Sequence, residues 1–221
     1  NTIGPQEALQ LVPPEILRYL IASTKPKKAI TFDPGMSLVE LADEYERQVA
    51  RDLDSEMKNS DLSRRQKVAI EDAEGALRMS KISDQSSSNV SFRHLALLAQ
   101  VKSDNEIIAA IGTENLDKLE RMKNWINGPY FPEQLKITIS EQPIPGLDKS
   151  ISNSLHKVFS ECNWDIDGIT EAIKSAIKDD QIPPRDCYRT LYTAVIGKEK
   201  GPKIAPIISE LSRDKVLSLL Q

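Results

Sequence analysis

The stretch PPRDCYRTLYTAVIGKEKGPK, residues 183–203, decides the fold. Two prolines at its start suit the first turn of a helix, where the missing N–H costs nothing. Tyr188, Leu191, Tyr192 and Val195 then recur at helical spacing, and Gly197 stands where a helix would stop. The same grammar repeats outward. Ile166, Ile169, Ile173 and Ile177 make a stripe, with Asp167 as candidate N-cap. Ile151, Leu155, Val158 and Phe159 make another, and 202–211 and 213–220 close the chain as short helices. The intervening turns are short enough for antiparallel neighbours in a bundle.

Upstream the reading stays helical. Residues 5–23 form helix interrupted at Pro13-Pro14, with Ile16, Leu17, Leu20 and Ile21 on the second apolar face. Residues 36–57 read as one helix striped by Leu38, Leu41, Ala42, Tyr45, Val49 and Leu53. A further helix is expected over 62–72, with 74–82 unassigned. Residues 92–101 are apolar nearly all round, as in a buried bundle helix. Ser103 and Glu106 have capping-box spacing before Ile107, Ile108 and Ile111, and Gly112 ends that helix. Leu116, Leu119, Met122 and Ile126 stripe the next. Only 29–32 and 136–139 look extended, and one short strand is expected at 30–32. The polar run 84–89 is the expected boundary, giving domains 1–83 and 90–221.

Composition narrows the function classes. The 221 residues are 39% hydrophobic and 28% charged, which suits a folded protein. No run nears the ~18 apolar residues of a membrane span. Two cysteines, Cys162 and Cys187, fit a reducing compartment and small apolar packing roles. With only His94 and His156 beside them, a zinc enzyme ranks low. No Walker-type or dinucleotide-type glycine string occurs, nor a nucleophile elbow, so a self-contained enzyme is not expected. A start at Asn1 rather than Met reads as a fragment or a processed chain. Trp125 and Trp164 read as packing anchors.

Charge is uneven within a net of -4. Residues 36–61 hold eight acids against three bases, best read as a solvated helix face. Residues 183–221 hold seven bases against four acids, with Tyr188 and Tyr192 among them. Cations for phosphates and rings for unstacked bases are what a single-stranded RNA loop needs. The helical spacing of the two tyrosines with Leu191 and Val195 favours core packing as their role. Lys198, Lys200 and Lys203 surround Gly197 and Gly201, a loop that reads either as an anion contact or as a solvated turn.

Two strings carry a resemblance. PPEILRYLIASTKPKKAITFD, 13–33, is similar to the segment after the KMSKS loop of class I, archaeal-type lysyl-tRNA synthetases. Residues 187–203 resemble the C-terminal signature of that family, and 91–101 and 116–126 resemble intervening parts in the same order. The resemblance implies a mainly α fold: a small stem-contact module with one short strand, then a helical anticodon-binding bundle. It implies a cytoplasmic lysine–tRNA ligase as parent, using ATP with Mg, whose nucleotide-binding fold lies upstream; this region alone would be inactive. The partners implied are lysine tRNA and the parent catalytic domain. Candidate RNA contacts are the basic turn Lys25, Lys27 and Lys28, and the rim Arg189, Lys198, Lys200 and Lys203. The alternatives are the matching region of a glutamyl-tRNA synthetase and a helical protein–protein scaffold.

Overall fold

A computed structural model describes residues 3–81 and 90–221. Among them are thirteen α-helices and no strand. The chain divides into two compact units. One comprises Asn1–Ala99 with Asp104–Pro132, the other Gln100–Ser103 with Glu133–Gln221.

The first unit runs α1 (Pro5–Leu11), α2 (Pro14–Ser23), α3 (Met36–Val49), α4 (Leu53–Met57), α5 (Arg64–Ser80), α6 (Phe92–Val101, its last two residues counted with the second unit), α7 (Asp104–Ile111) and α8 (Leu116–Asn127). Pro14 opens α2 from an extended Pro13, as the proline pair requires. The expected single helix over 36–57 is two. The Asp52 side chain accepts from Ser55 N–H at 3.0 Å and caps a new helix, so the chain turns at 50–52. Arg51 steadies that turn through Gln48 and both Glu56 oxygens. Conversely, α5 is one seventeen-residue helix rather than a helix over 62–72 and a loose tail. Its start is a capping box, Ser63 with Gln66, which satisfies two orphan donors at once.

This unit centres on Trp125, which is fully buried. Phe92 and Phe131 lie against its ring at 5.2 and 4.8 Å, and its Nε1–H donates to Pro34 O at 2.6 Å. Tying α8 to the turn before α3 explains why 104–132 groups with the N-terminal helices. The expected boundary at 84–89 lies outside the described residues, and the division into units falls instead near 132–133. The strand expected at 30–32 does not form. Those residues are extended, but no described strand lies beside them to complete a ladder, and Ile30 is exposed. Residues 136–139 form no strand either: the Ile137 N–H is taken by the Gln100 side chain, and just beyond the segment the Ser140 N–H donates to Val195 O.

The second unit runs α9 (Lys149–Glu161), α10 (Ile166–Asp179), α11 (Pro184–Ile196), α12 (Ile204–Ser209) and α13 (Arg213–Leu219). Asp148 caps α9. Asp165, not Asp167, caps α10 by accepting from Gly168 N–H at 2.7 Å; Asp167 already lies inside the helix. Leu155, Phe159, Ile169, Ile173, Leu191, Ile207, Ile208 and Val216 meet in a core with almost no exposure. Each such side chain contributes roughly 1.5–3 kcal/mol on burial. Arg213 fastens the start of α13: its guanidinium donates to the Ser160 and Cys162 carbonyls and lies over the Trp164 ring.

Candidate nucleic-acid interface

In the second unit the candidate cations gather where α11 ends. Gly197 takes the left-handed conformation (φ 67°) that closes the helix, and its N–H bonds Thr193 O. The chain then folds back over α11. Tyr192 Oη donates to Pro202 O at 2.6 Å. A Cβ on Gly201 would come within 2.8 Å of Ile196 Cδ1 and 3.4 Å of the Tyr192 ring, so glycine lets the loop lie flat on the helix. Burial raises the Tyr192 pKa above its ordinary value and keeps this donor neutral.

The loop cations differ in what they touch. Lys198 Nζ donates to Lys136 O at 2.9 Å and lies 3.9 Å from Glu133, so it tethers the loop to the 133–136 turn. Lys200 and Lys203 are exposed and make no ion pair with any described residue. Arg189, exposed on α11, lies 3.1 Å from Asp186. Arg185 and Tyr188, which the sequence reading did not select as contacts, share the exposed face with it. Tyr188 is 37% exposed, whereas the buried stripe of α11 runs through Cys187, Thr190, Leu191, Ala194 and Val195. Of the expected stripe Tyr188, Leu191, Tyr192 and Val195, Leu191 and Val195 are fully buried, Tyr192 is half-buried and Tyr188 is left at the edge, with Cys187 and Ala194 completing the core face. Lys174 on α10, held above its ordinary pKa chiefly by Glu171, also feels the Tyr188 phenol. Exposed ring and flanking cations form one strip running into the loop.

The remaining bases of this unit's C-terminal stretch are structural. Lys215 Nζ donates to Glu141 O at 2.6 Å, and Arg213 is used as described. Cys187 is buried, which pushes its thiol up to about 11, and Cys162 is raised mainly by burial as well, so neither is a ready thiolate.

In the first unit Lys25, Lys27 and Lys28 lie in the exposed turn after α2, where Lys28 N–H bonds Lys25 O at 2.8 Å. None makes an ion pair with a described residue. The acidic face of α3 is spent on structure: Asp43 holds Arg93, Glu44 holds Arg47, and Glu46 accepts from Phe92 N–H at the start of α6. Burial pushes the Glu46 carboxyl above its ordinary range, and Asp43 adds to this; the Phe92 N–H, Arg93 and Lys118 oppose it. Among the described residues no group of three His, Cys, Asp or Glu could hold a metal ion. His94 is half-buried, with its backbone N–H on Ser91 Oγ. No described helix is long and apolar enough to cross a membrane.

Both helical units are matched by models of tRNA-synthetase domains. Residues 129–221 match the anticodon binding domain model, and residues 1–73 match the model of class I tRNA synthetases (K). Along its whole length the chain is similar to class I lysine–tRNA ligases. The lysine–tRNA ligase of Thermoplasma volcanium is 28% identical over 233 residues, covering 99% of this chain and 44% of the relative. That of Thermococcus kodakarensis is 27% identical over 244 residues, covering 100% and 45%. That of Picrophilus torridus is 25% identical over 231 residues, covering 97% and 43%. The chain thus spans less than half the length of these relatives.

Proposed function

We propose that this chain is the tRNA-holding region of a class I lysine–tRNA ligase. The second unit takes the anticodon arm; the first, through Lys25, Lys27 and Lys28, meets the stem near the inner corner. Lysine activation by ATP and magnesium, and transfer to the tRNA 3′ end, belong to a catalytic region outside these residues. The sequence has no Walker-type or dinucleotide-type phosphate cradle, and the described residues offer no metal cluster, so no chemical step is assigned to them. A cytoplasmic location follows from the same reading.

The observation that carries the proposal is the strip on α11 and its loop: Arg185, Arg189, Lys200 and Lys203 exposed around the exposed Tyr188 ring. Cations give affinity for phosphates, and a solvent-facing ring gives an unstacked base a surface to stack on. The left-handed Gly197 cap leaves helix-end carbonyls near the loop, which disfavours an anion by about half a charge. Two unpaired lysines outweigh that. The region's contribution to catalysis is orientation: the acceptor end can be presented reproducibly only if the tRNA body is held.

The test is binding of lysine tRNA and an anticodon-swapped tRNA over a salt series. Lys200→Ala with Lys203→Ala should weaken both RNAs alike and reduce the salt slope by about one per lost contact. Tyr188→Ala should leave the slope unchanged and lower affinity by roughly 5–150-fold, the equivalent of ~1–3 kcal/mol for one stacked base. Unchanged affinity and slope in both variants would reject the strip as the RNA surface.

A further inference from the structure

The first two turns of α5 are exposed on every side. Ser63, Arg64, Arg65, Gln66, Lys67, Val68 and Ala69 all face solvent, and Ile70 is the first buried residue. Lys58, just upstream, is exposed as well. None of Lys58, Arg64, Arg65 or Lys67 makes an ion pair with a described residue. Most other arginines of this unit are engaged: Arg47 with Glu44, Arg51 with Glu56, Arg93 with Asp43, Arg121 with Asp117, and Arg18 with Met79 O; Arg78, further along α5, is exposed. Among the described residues of this unit, four cations without an ion pair thus gather at this half-helix, apart from those in the 25–28 turn.

Their placement works against the helix itself. The first turn of α5 holds no acid, so Arg64, Arg65 and Lys67 sit at the positive end of the backbone dipole with no acid in that turn to offset it. Glu71, Asp72 and Glu74 of the same helix lie further along, in its dipole-neutral middle. Lys67 and Glu71 have the i,i+4 spacing of an ion pair without forming one. Reversed charge order lowers the stability of this segment and leaves a cationic surface whose natural complement is a row of negative charges.

We propose that the N-terminal half of α5, through Arg64, Arg65 and Lys67 with Lys58 at its edge, is a second RNA contact that grips the sugar–phosphate backbone. Charge complementarity selects this occupant. The surface offers one large apolar side chain, Val68 at 46% exposure, too little for a protein interface with an apolar centre. Two neighbouring arginines present forked donors suited to phosphate oxygens. The contact is distinct from the turn at 25–28 and from the α11 strip. It rests on the tRNA-holding reading and adds to it an anchor that recognises backbone rather than sequence.

The test uses the 221-residue chain, unmutated and as Arg64→Ala plus Arg65→Ala plus Lys67→Ala, with lysine tRNA and the anticodon-swapped tRNA over a salt series. The variant should lose roughly 100-fold or more in affinity at ~0.1 M salt and about three units of salt slope, equally for both RNAs. Its helix content and melting temperature should hold or rise, because alanine is the better helix former and three unfavourable charges are gone. Arg64→Lys with Arg65→Lys should keep most of the slope. If the unmutated chain binds and the triple variant binds with the same affinity and slope, α5 is not an RNA contact, while the α11 reading stands. If the triple variant keeps its tRNA affinity but loses binding of an acidic protein region, the occupant is a protein and the inference is wrong. If the unmutated chain binds no tRNA, the tRNA-holding reading fails and takes this inference with it.

Discussion

Replacing Tyr192 by Phe removes one atom and tests whether the loop after α11 is held down by design. In the folded chain the Tyr192 hydroxyl donates to Pro202 O at 2.6 Å, and the ring supports Gly201. Phenylalanine keeps the ring and leaves the carbonyl without its partner. Net loss of such a bond is ~0.5–1.5 kcal/mol. Pro202 is half-buried, so water can recover part of it, and about 1 kcal/mol is expected. In urea, with a slope of ~2 kcal/mol/M, the midpoint falls by about 0.5 M. The same loss lowers the free energy of local loop opening, so amide exchange over 198–203 should speed up about fivefold. If RNA requires the closed loop, tRNA affinity drops by up to about fivefold with no change in salt slope, because no cation is removed. Urea titration and hydrogen exchange on both proteins measure this. A midpoint unchanged to within ~0.1 M together with unchanged exchange would refute the bracing argument.

The remaining predictions concern charge, thiols and chemistry. Glu46 has a folded pKa raised above its ordinary 4.5, mainly by burial; its stabilising share is present below the unfolded value and is lost as pH rises through the folded one. Glu46→Gln should therefore gain stability relative to the unmutated chain as pH rises from about 4 to neutrality, and a difference independent of pH would contradict it. Cys162, half-buried, should react with iodoacetamide well before Cys187, whose thiol is pushed up to about 11; equal labelling rates in the folded protein would contradict that order. The chain alone should catalyse no lysine-dependent pyrophosphate exchange with ATP, and measurable exchange would place the activation chemistry within these residues.

Much of the helical plan was legible in the residues themselves. Proline pairs at 13–14 and 183–184 marked two starts, and Gly112 and Gly197, both with positive φ, marked two ends. What escaped were features decided by side-chain hydrogen bonds between near neighbours. An unbroken apolar stripe over 36–57 cannot reveal that Asp52 turns inward to cap a fresh helix. The Ser63–Gln66 box was visible in sequence and would have fixed the start of α5. The strand at 30–32 failed because β propensity is realised only against a neighbour. At the candidate site, the strings 13–33 and 187–203 located the basic loops. Which lysine is free depended on distant partners: Lys198 is bound by Lys136 and Glu133, some sixty residues away in sequence. Tyr188 was misjudged because it stands at the edge of a stripe whose other members, Leu191 and Val195, are buried, and its neighbour Cys187 takes the core position instead.

The central claim, that the second unit holds the anticodon arm, is tested most directly by hydroxyl-radical footprinting of lysine tRNA on the 221-residue chain. The account predicts backbone protection across the anticodon stem and loop, lost in Lys200→Ala with Lys203→Ala while protection elsewhere on the tRNA persists. An anticodon arm cleaved equally with and without the chain, under conditions where the complex is otherwise formed, would contradict it.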